Sequence, residues 1–175
     1  HKEYRRQRQM CIRDSLSSMK IQLICVGKTQ QAELKSWLPD YCKRLSRYTT
    51  FDWHEIADLK NTKNLPEKQQ KTNEGKLILA AISASDTLIL FDEKGSPHTS
   101  KGFAEFLQKK MNAGTKKLVF VIGGPYGFSQ EVYARAQGKI ALSQMTFSHQ
   151  MVRIFVAEQL YRAFSILNNQ PYHHE

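Results

Sequence analysis

Residues 117–133 read KLVFVIGGPYGFSQEVY. Leu118, Val119, Phe120, Val121 and Ile122 form an unbroken apolar run rich in β-branched and aromatic side chains, the pattern of a strand buried on both faces. The run passes without a spacer into Gly123, Gly124, Pro125, Tyr126 and Gly127, and a helical pattern resumes behind them. Glycine permits positive φ and close backbone approach, and in open α/β sheets such loops at the carboxyl ends of strands form ligand crevices. A small-molecule site is therefore expected at this loop, although a purely structural turn fits the segment equally well. The spacing matches neither GxGxxG nor GxxxxGK[ST], so dinucleotide and nucleoside-triphosphate fingerprints are absent.

The same strand-then-helix unit recurs on either side of this stretch. Short β-branched runs at 21–26, 51–56, 87–91, 118–122 and 140–142 alternate with helical patterns at roughly 31–47, 66–82, 100–112, 129–137 and 150–167, the sequence form of an α/β protein with a mostly parallel sheet. Residues 57–71 are polar, carry Pro66, and read as an exposed connection into a helix. No repeat, heptad or low-complexity tract is visible. With 175 residues, 41% of them hydrophobic, one compact core is expected.

Twenty-six Lys and Arg against sixteen Asp and Glu leave a formal charge of +10, which favours encounter with a polyanion. Residues 1–18 carry five basic and two acidic side chains and no apolar run of helix length. They are expected to be a non-native or disordered leader, with Met19 as the natural start; a basic RNA-binding arm is the rival reading. No secretory signal and no membrane span is visible, so a cytoplasmic protein is expected. Cys11, Cys25 and Cys42 have no metal-ligand spacing, which argues against a structural zinc site, and Cys25 reads as a small core residue.

The junction LSQMTFSHQMVR, residues 142–153, is a second strand-to-helix crossing, where Ser148 or a neighbour can cap the helix. Leu142, Met145 and Phe147 offer apolar surface for an adenine ring. In the helix that follows, eleven of the sixteen residues 152–167 are apolar, and Arg153 stands alone opposite the arc of Glu158, Gln159, Arg162 and Ser165. Such apolar breadth exceeds what one sheet face covers. A homodimer is the expected second partner, unless the helix is enclosed by its own domain.

Taken together, VFVIGGPYGF, LSQMTFSHQMVRIFVAEQLYRAFSI and the closing PYHHE, with VGK near the start and LILFDEKG in the third strand, resemble in order and spacing the large-subunit (23S) rRNA pseudouridine N3-methyltransferases of the SPOUT superfamily. The resemblance spans residues 19–175. It implies an α/β SPOUT fold with a deep C-terminal trefoil knot, against the usual rule on threading. It further implies S-adenosyl-L-methionine as cofactor, held by Phe91, Gly123, Leu142, Ser143, Gln144, Met145, Thr146 and Phe147, and large-subunit rRNA, within the ribosome, as partner. Phe91 stands where such enzymes commonly have Leu.

Methylating an imide nitrogen calls for positioning, water exclusion and removal of one proton, and no metal. His149, Arg153, Tyr172, His173 and His174 are the catalytic candidates, the tail residues suiting an extruded base. A lone Arg on an apolar face needs a partner, and for Arg153 either a salt bridge across a dimer or an RNA contact is expected. A SPOUT enzyme acting on another RNA, or a non-catalytic ribosome-associated protein, are the alternatives.

Overall fold

The computed structural model describes residues 19–59 and 64–173. Residues 1–18, with Cys11, part of the 57–71 connection, and His174 and Glu175 lie outside it. Five strands and five helices alternate: β1 (Lys20–Val26), α1 (Ala32–Leu45), β2 (Phe51–Ile56), α2 (Glu67–Ala80), β3 (Thr87–Pro97), α3 (Ser100–Asn112), β4 (Lys117–Ile122), α4 (Gln130–Arg135), β5 (Gly138–Ala141) and α5 (Met151–Leu167). The sheet order is β2-β1-β4-β3-β5, and every pairing is parallel. This is the α/β architecture that the alternation of patterns predicts.

Successive side chains on a strand point to opposite faces, and the two faces build two cores. Ile21, Leu23 and Cys25 of β1, Leu118, Phe120 and Ile122 of β4, and Ile89 and Phe91 of β3 pack with α3 and α5. Ile24, Val26, Val119, Val121, Leu88 and Leu90 meet Ile78 of α2 and Val132 of α4 on the other side. Residues 118–122 are wholly buried because β4 is central and covered on both faces. Cys25 is 0% exposed, and its burial pushes the thiol up to about 12.

Helix α5 lies between α1 and α3 on the first face, with Val156, Ala157, Leu160, Ala163 and Phe164 buried. The chain itself thus covers much of the apolar breadth and also part of the polar arc, where Ser165 is buried and donates to the Tyr161 carbonyl. Phe155 remains 38% exposed.

Two elements differ from the sequence expectation. Strand β3 runs past Phe91 to Pro97, with a register shift: β5 pairs with Phe91 and, beyond the excursion 92–95, again with Ser96 and Pro97. Gly95 permits this, since a Cβ there would stand 2.5 Å from the Ile140 carbonyl carbon and 2.6 Å from its nitrogen. Helix α4 is shorter than 129–137. The Ser129 hydroxyl accepts the Val132 N–H at its start, and the chain turns extended at Ala136.

Candidate active site

The carboxyl ends of β3, β4 and β5 open into a cleft of about 450 Å³, within the roughly 300–1,000 Å³ typical of small-molecule sites. Its floor is Phe91 and Ile122, one wall is the loop 123–127, and the other is the junction after β5. The glycine loop is a tight turn in which the Gly127 N–H donates to the Gly124 carbonyl at 3.1 Å, with Gly127 at φ +79°. The Phe91 ring is held by Phe120 and Phe103, at centroid distances of 5.4 and 6.4 Å. The aromatic residue at this position is therefore packed into the core on one side while facing the cleft on the other.

Of the residues expected to hold a cofactor, Phe91, Gly123, Leu142, Ser143, Met145, Thr146 and Phe147 line this one cleft. Gln144 belongs to the same loop but is exposed and outside the wall. The loop is shaped by its own side chains: the Ser143 hydroxyl accepts the Met145 N–H at 3.0 Å, and Phe147 packs on Phe155. Met145 is 77% exposed and Tyr126 45%, so two large apolar side chains stand at the mouth of the cleft. Lys71, Asp92, Lys94 and Tyr133 complete its rim; the Tyr133 hydroxyl donates to Asp92, joining α4 to β3. Dispersed along the sequence, these rim residues carry no pattern that periodicity could single out.

His149 also lines the cleft. Burial, with the nearby Arg153 charge, holds its imidazole below the ordinary 6.5, against a smaller opposing effect of Asp58. A neutral imidazole facing the cleft can accept a proton.

Arg153 is placed differently from the expectation of a dimer or RNA contact. It is 1% exposed within its own chain. Its guanidinium donates to the Val26 carbonyl at 2.7 Å, the Thr29 hydroxyl at 2.9 Å and the His149 carbonyl at 3.1 Å, with Glu55 at 3.7 Å. The lone cation on the apolar face is thus accounted for by the backbone carbonyls at the end of β1 and the start of α5. Although partial burial opposes it, hydrogen bonds from Thr29 and Trp53 and the Arg153 charge hold the Glu55 carboxyl below its ordinary value.

Gln150 adds a second tie. Its side chain accepts the Gln30 N–H at 3.0 Å and donates to the Lys28 carbonyl at 3.1 Å, so the start of α5 is fastened to the β1–α1 loop. Ser148 acts just before it, its hydroxyl accepting the Gln150 N–H at 3.3 Å.

The tail folds back on α5 through a left-handed turn at Asn169, φ +52°. Tyr172 donates to Glu158 at 3.2 Å and lies under the Arg162 guanidinium, 4.8 Å from the ring centroid; Arg162 is also bonded to Glu158 at 2.6 Å and stands 3.3 Å from His173. Burial and the Glu158 charge push the Tyr172 phenol up to about 12, keeping it protonated. Neither Tyr172 nor His173 lines the cleft of its own chain. Glu158 and Arg162, opposite charges at i and i+4, hold the tail against α5.

Among the described residues no group of His, Cys, Asp and Glu could hold a metal ion, and no helix is long and apolar enough to cross a membrane.

Comparison with known proteins agrees with this geometry. Residues 19–173 match the family described as "Predicted SPOUT methyltransferase". The ribosomal RNA large subunit methyltransferase H of Flavobacterium johnsoniae is 61% identical over 157 residues, covering 90% of this chain and 100% of that protein. The proteins of the same name from Christiangramia forsetii and Bacteroides thetaiotaomicron are 58% and 51% identical, over 89% and 90% of this chain and 99% and 100% of their own lengths. With its parallel sheet, its cleft at the strand ends and a match across residues 19–173, the chain belongs to the SPOUT methyltransferase family.

Proposed function

We propose that this protein methylates N3 of a pseudouridine in large-subunit (23S) ribosomal RNA, using S-adenosyl-L-methionine. The observation that carries the reading is the single cleft into which the loops after β3, β4 and β5 bring Phe91, Gly123, Leu142 and Phe147 together. The names of the relatives support the rRNA substrate. The choice of N3 of pseudouridine rests on the sequence resemblance.

The residues present fit the cofactor. Leu142, Met145 and Phe147 suit an adenine face, the irregular loop 142–147 suits its polar edge, and the loop 123–127 allows close backbone approach. When bound, the cofactor supplies a methyl group carried on a sulfonium. The chain's own part is to position the acceptor, exclude water as Tyr126, Met145 and Phe147 cover the reacting atoms, and take the acceptor's N3 proton. His149 is the group of the cleft suited to that proton, and Arg153 is a positioning residue that holds the His149 carbonyl.

A homodimer belongs to the same proposal. Tyr172, His173 and Arg162 stand outside their own cleft, and a second copy would deliver such a tail, His174 included, to the acceptor base. Phe155, still exposed on α5, supports a further contact. Residues 19–175 would form the methyltransferase domain, acting on ribosomes in the cytoplasm. The C-terminal knot implied by the resemblance belongs to the same proposal.

Mass mapping of rRNA from cells with and without the protein tests the reading. Loss of one N3-methylpseudouridine from the large-subunit RNA is expected; an unchanged rRNA methylation map would refute it.

A further inference from the structure

Glu74, midway along α2, is 6% exposed. Its Oε1 accepts the Gln70 side-chain N–H at 2.9 Å, whereas its buried Oε2 has no hydrogen-bond partner. The carboxyl faces the glycine loop. A Cβ on Gly124 would stand 2.7 Å from Oε2 and 3.1 Å from Oε1, so any side chain at 124 would displace it. The loop 123–127 is at the same time a wall of the cleft. A carboxyl group therefore lies behind the methyl-donor site, separated from it by the backbone of one glycine.

A buried carboxylate with an unused oxygen is costly unless something cationic compensates it. Among the described residues no Lys or Arg pairs with Glu74. Burial raises its pKa, the Gln70 hydrogen bond opposes this, and the charge of Asp58 raises it further. The chain thus holds, against the back of the glycine wall of the cleft, an acidic group whose ionised form lacks a counter-charge.

We propose that Glu74 is a specificity-determining residue that distinguishes the positively charged methyl donor from its neutral product across Gly124. The inference rests on the S-adenosylmethionine reading. The donor's sulfonium bears a formal positive charge. After its S–CH3 bond breaks and the acceptor's N–CH3 bond forms, with the N3 proton passing to a base, the remaining thioether is neutral. A carboxylate behind the glycine wall attracts the first and is indifferent to the second. The interaction passes through protein backbone and not through bulk water, where it would be weak. Glu74 thereby favours entry of the donor and release of the spent cofactor, without touching the reacting atoms.

Calorimetric titration of the purified full chain with S-adenosylmethionine and, separately, S-adenosylhomocysteine tests this in wild type and Glu74→Gln. The near-isosteric amide is expected to weaken donor binding about tenfold while leaving product binding within about twofold. Equal weakening of both ligands would mean that Glu74 merely supports the loop, and unchanged binding of both would mean that it does nothing here; either overturns the inference. Wild-type protein that binds neither ligand removes the cofactor reading as well, so the two failures are distinguishable. If Glu74→Gln does not fold, Glu74→Asp withdraws the charge by one methylene, and a smaller loss confined to the donor is expected. An equal loss for both ligands in that variant refutes the inference.

Discussion

Replacing Arg153 by methionine would remove a fully enclosed cation while keeping an unbranched side chain of moderate volume. Three hydrogen bonds disappear, to the carbonyls of Val26 and His149 and to the Thr29 hydroxyl, and the Glu55 carboxylate loses its neighbouring charge. Hydrogen bonds from a charged group contribute about 1.5–3 kcal/mol each. The apolar replacement recovers part of this, because the guanidinium no longer has to be desolvated; removing one partner of a buried ionic arrangement costs about 3–5 kcal/mol overall. About 4 kcal/mol is the expected net loss, a large share of the roughly 5–15 kcal/mol that holds a domain folded. The corresponding fall in Tm is about 8–16 °C. Arg153→Lys keeps the charge but not the fork, and about half the loss is expected. Urea unfolding of wild type and both variants measures this. A loss below about 1 kcal/mol for Arg153→Met at unchanged m would show that the guanidinium network does not hold the β1 loop to α5.

Two further predictions follow from the same geometry. Gly95→Ala should lower stability by more than about 3 kcal/mol in urea unfolding, because its Cβ would enter the backbone of Ile140 and Ala141; a loss under about 1 kcal/mol would contradict the close passage. The folded-state pKa of His149 lies below its unfolded 6.5, so the native state binds fewer protons than the unfolded chain, and stability falls as pH drops through and below 6.5. His149→Gln should show a smaller fall between pH 7 and 5, and NMR titration should place the wild-type midpoint below 6.5. An ordinary midpoint and identical pH profiles would refute the assignment.

Periodicity was a good guide where a residue's environment follows from its neighbours in sequence. The run 118–122 is apolar because β4 is covered on both faces, and Ile21, Leu23 and Cys25 alternate with Ile24 and Val26 because β1 divides two cores. It was a poor guide where contacts join distant segments. The strand pattern stops at Phe91, yet β3 resumes pairing at Ser96 because Gly95 lies flush on β5. Arg153 stands out on a helical projection, but two of its partners, the Val26 carbonyl and the Thr29 hydroxyl, lie more than 120 positions away. The loop residues of the cleft were legible from glycine and apolar chemistry. Glu74 was not, since α2 is polar on most of its surface and only the fold sets that one carboxyl against Gly124.

The fastening of α5 to the β1–α1 loop also constrains how the molecule is made. Gln150 and Arg153 bond to residues 26–30, and the wall from Leu142 to Phe147 precedes them by only a few positions. Domains emerge from the ribosome amino end first, and pairings between remote segments form late because the intervening chain must close a long loop. A nascent chain that has displayed its first four strands still lacks one side of the cleft and leaves the carbonyls of Val26 and Lys28 without their partners. Catalytic competence therefore arrives as a single event once the segment from Leu142 to Arg153 has been made, and a product terminated before it would have no half-working site with which to sequester cofactor.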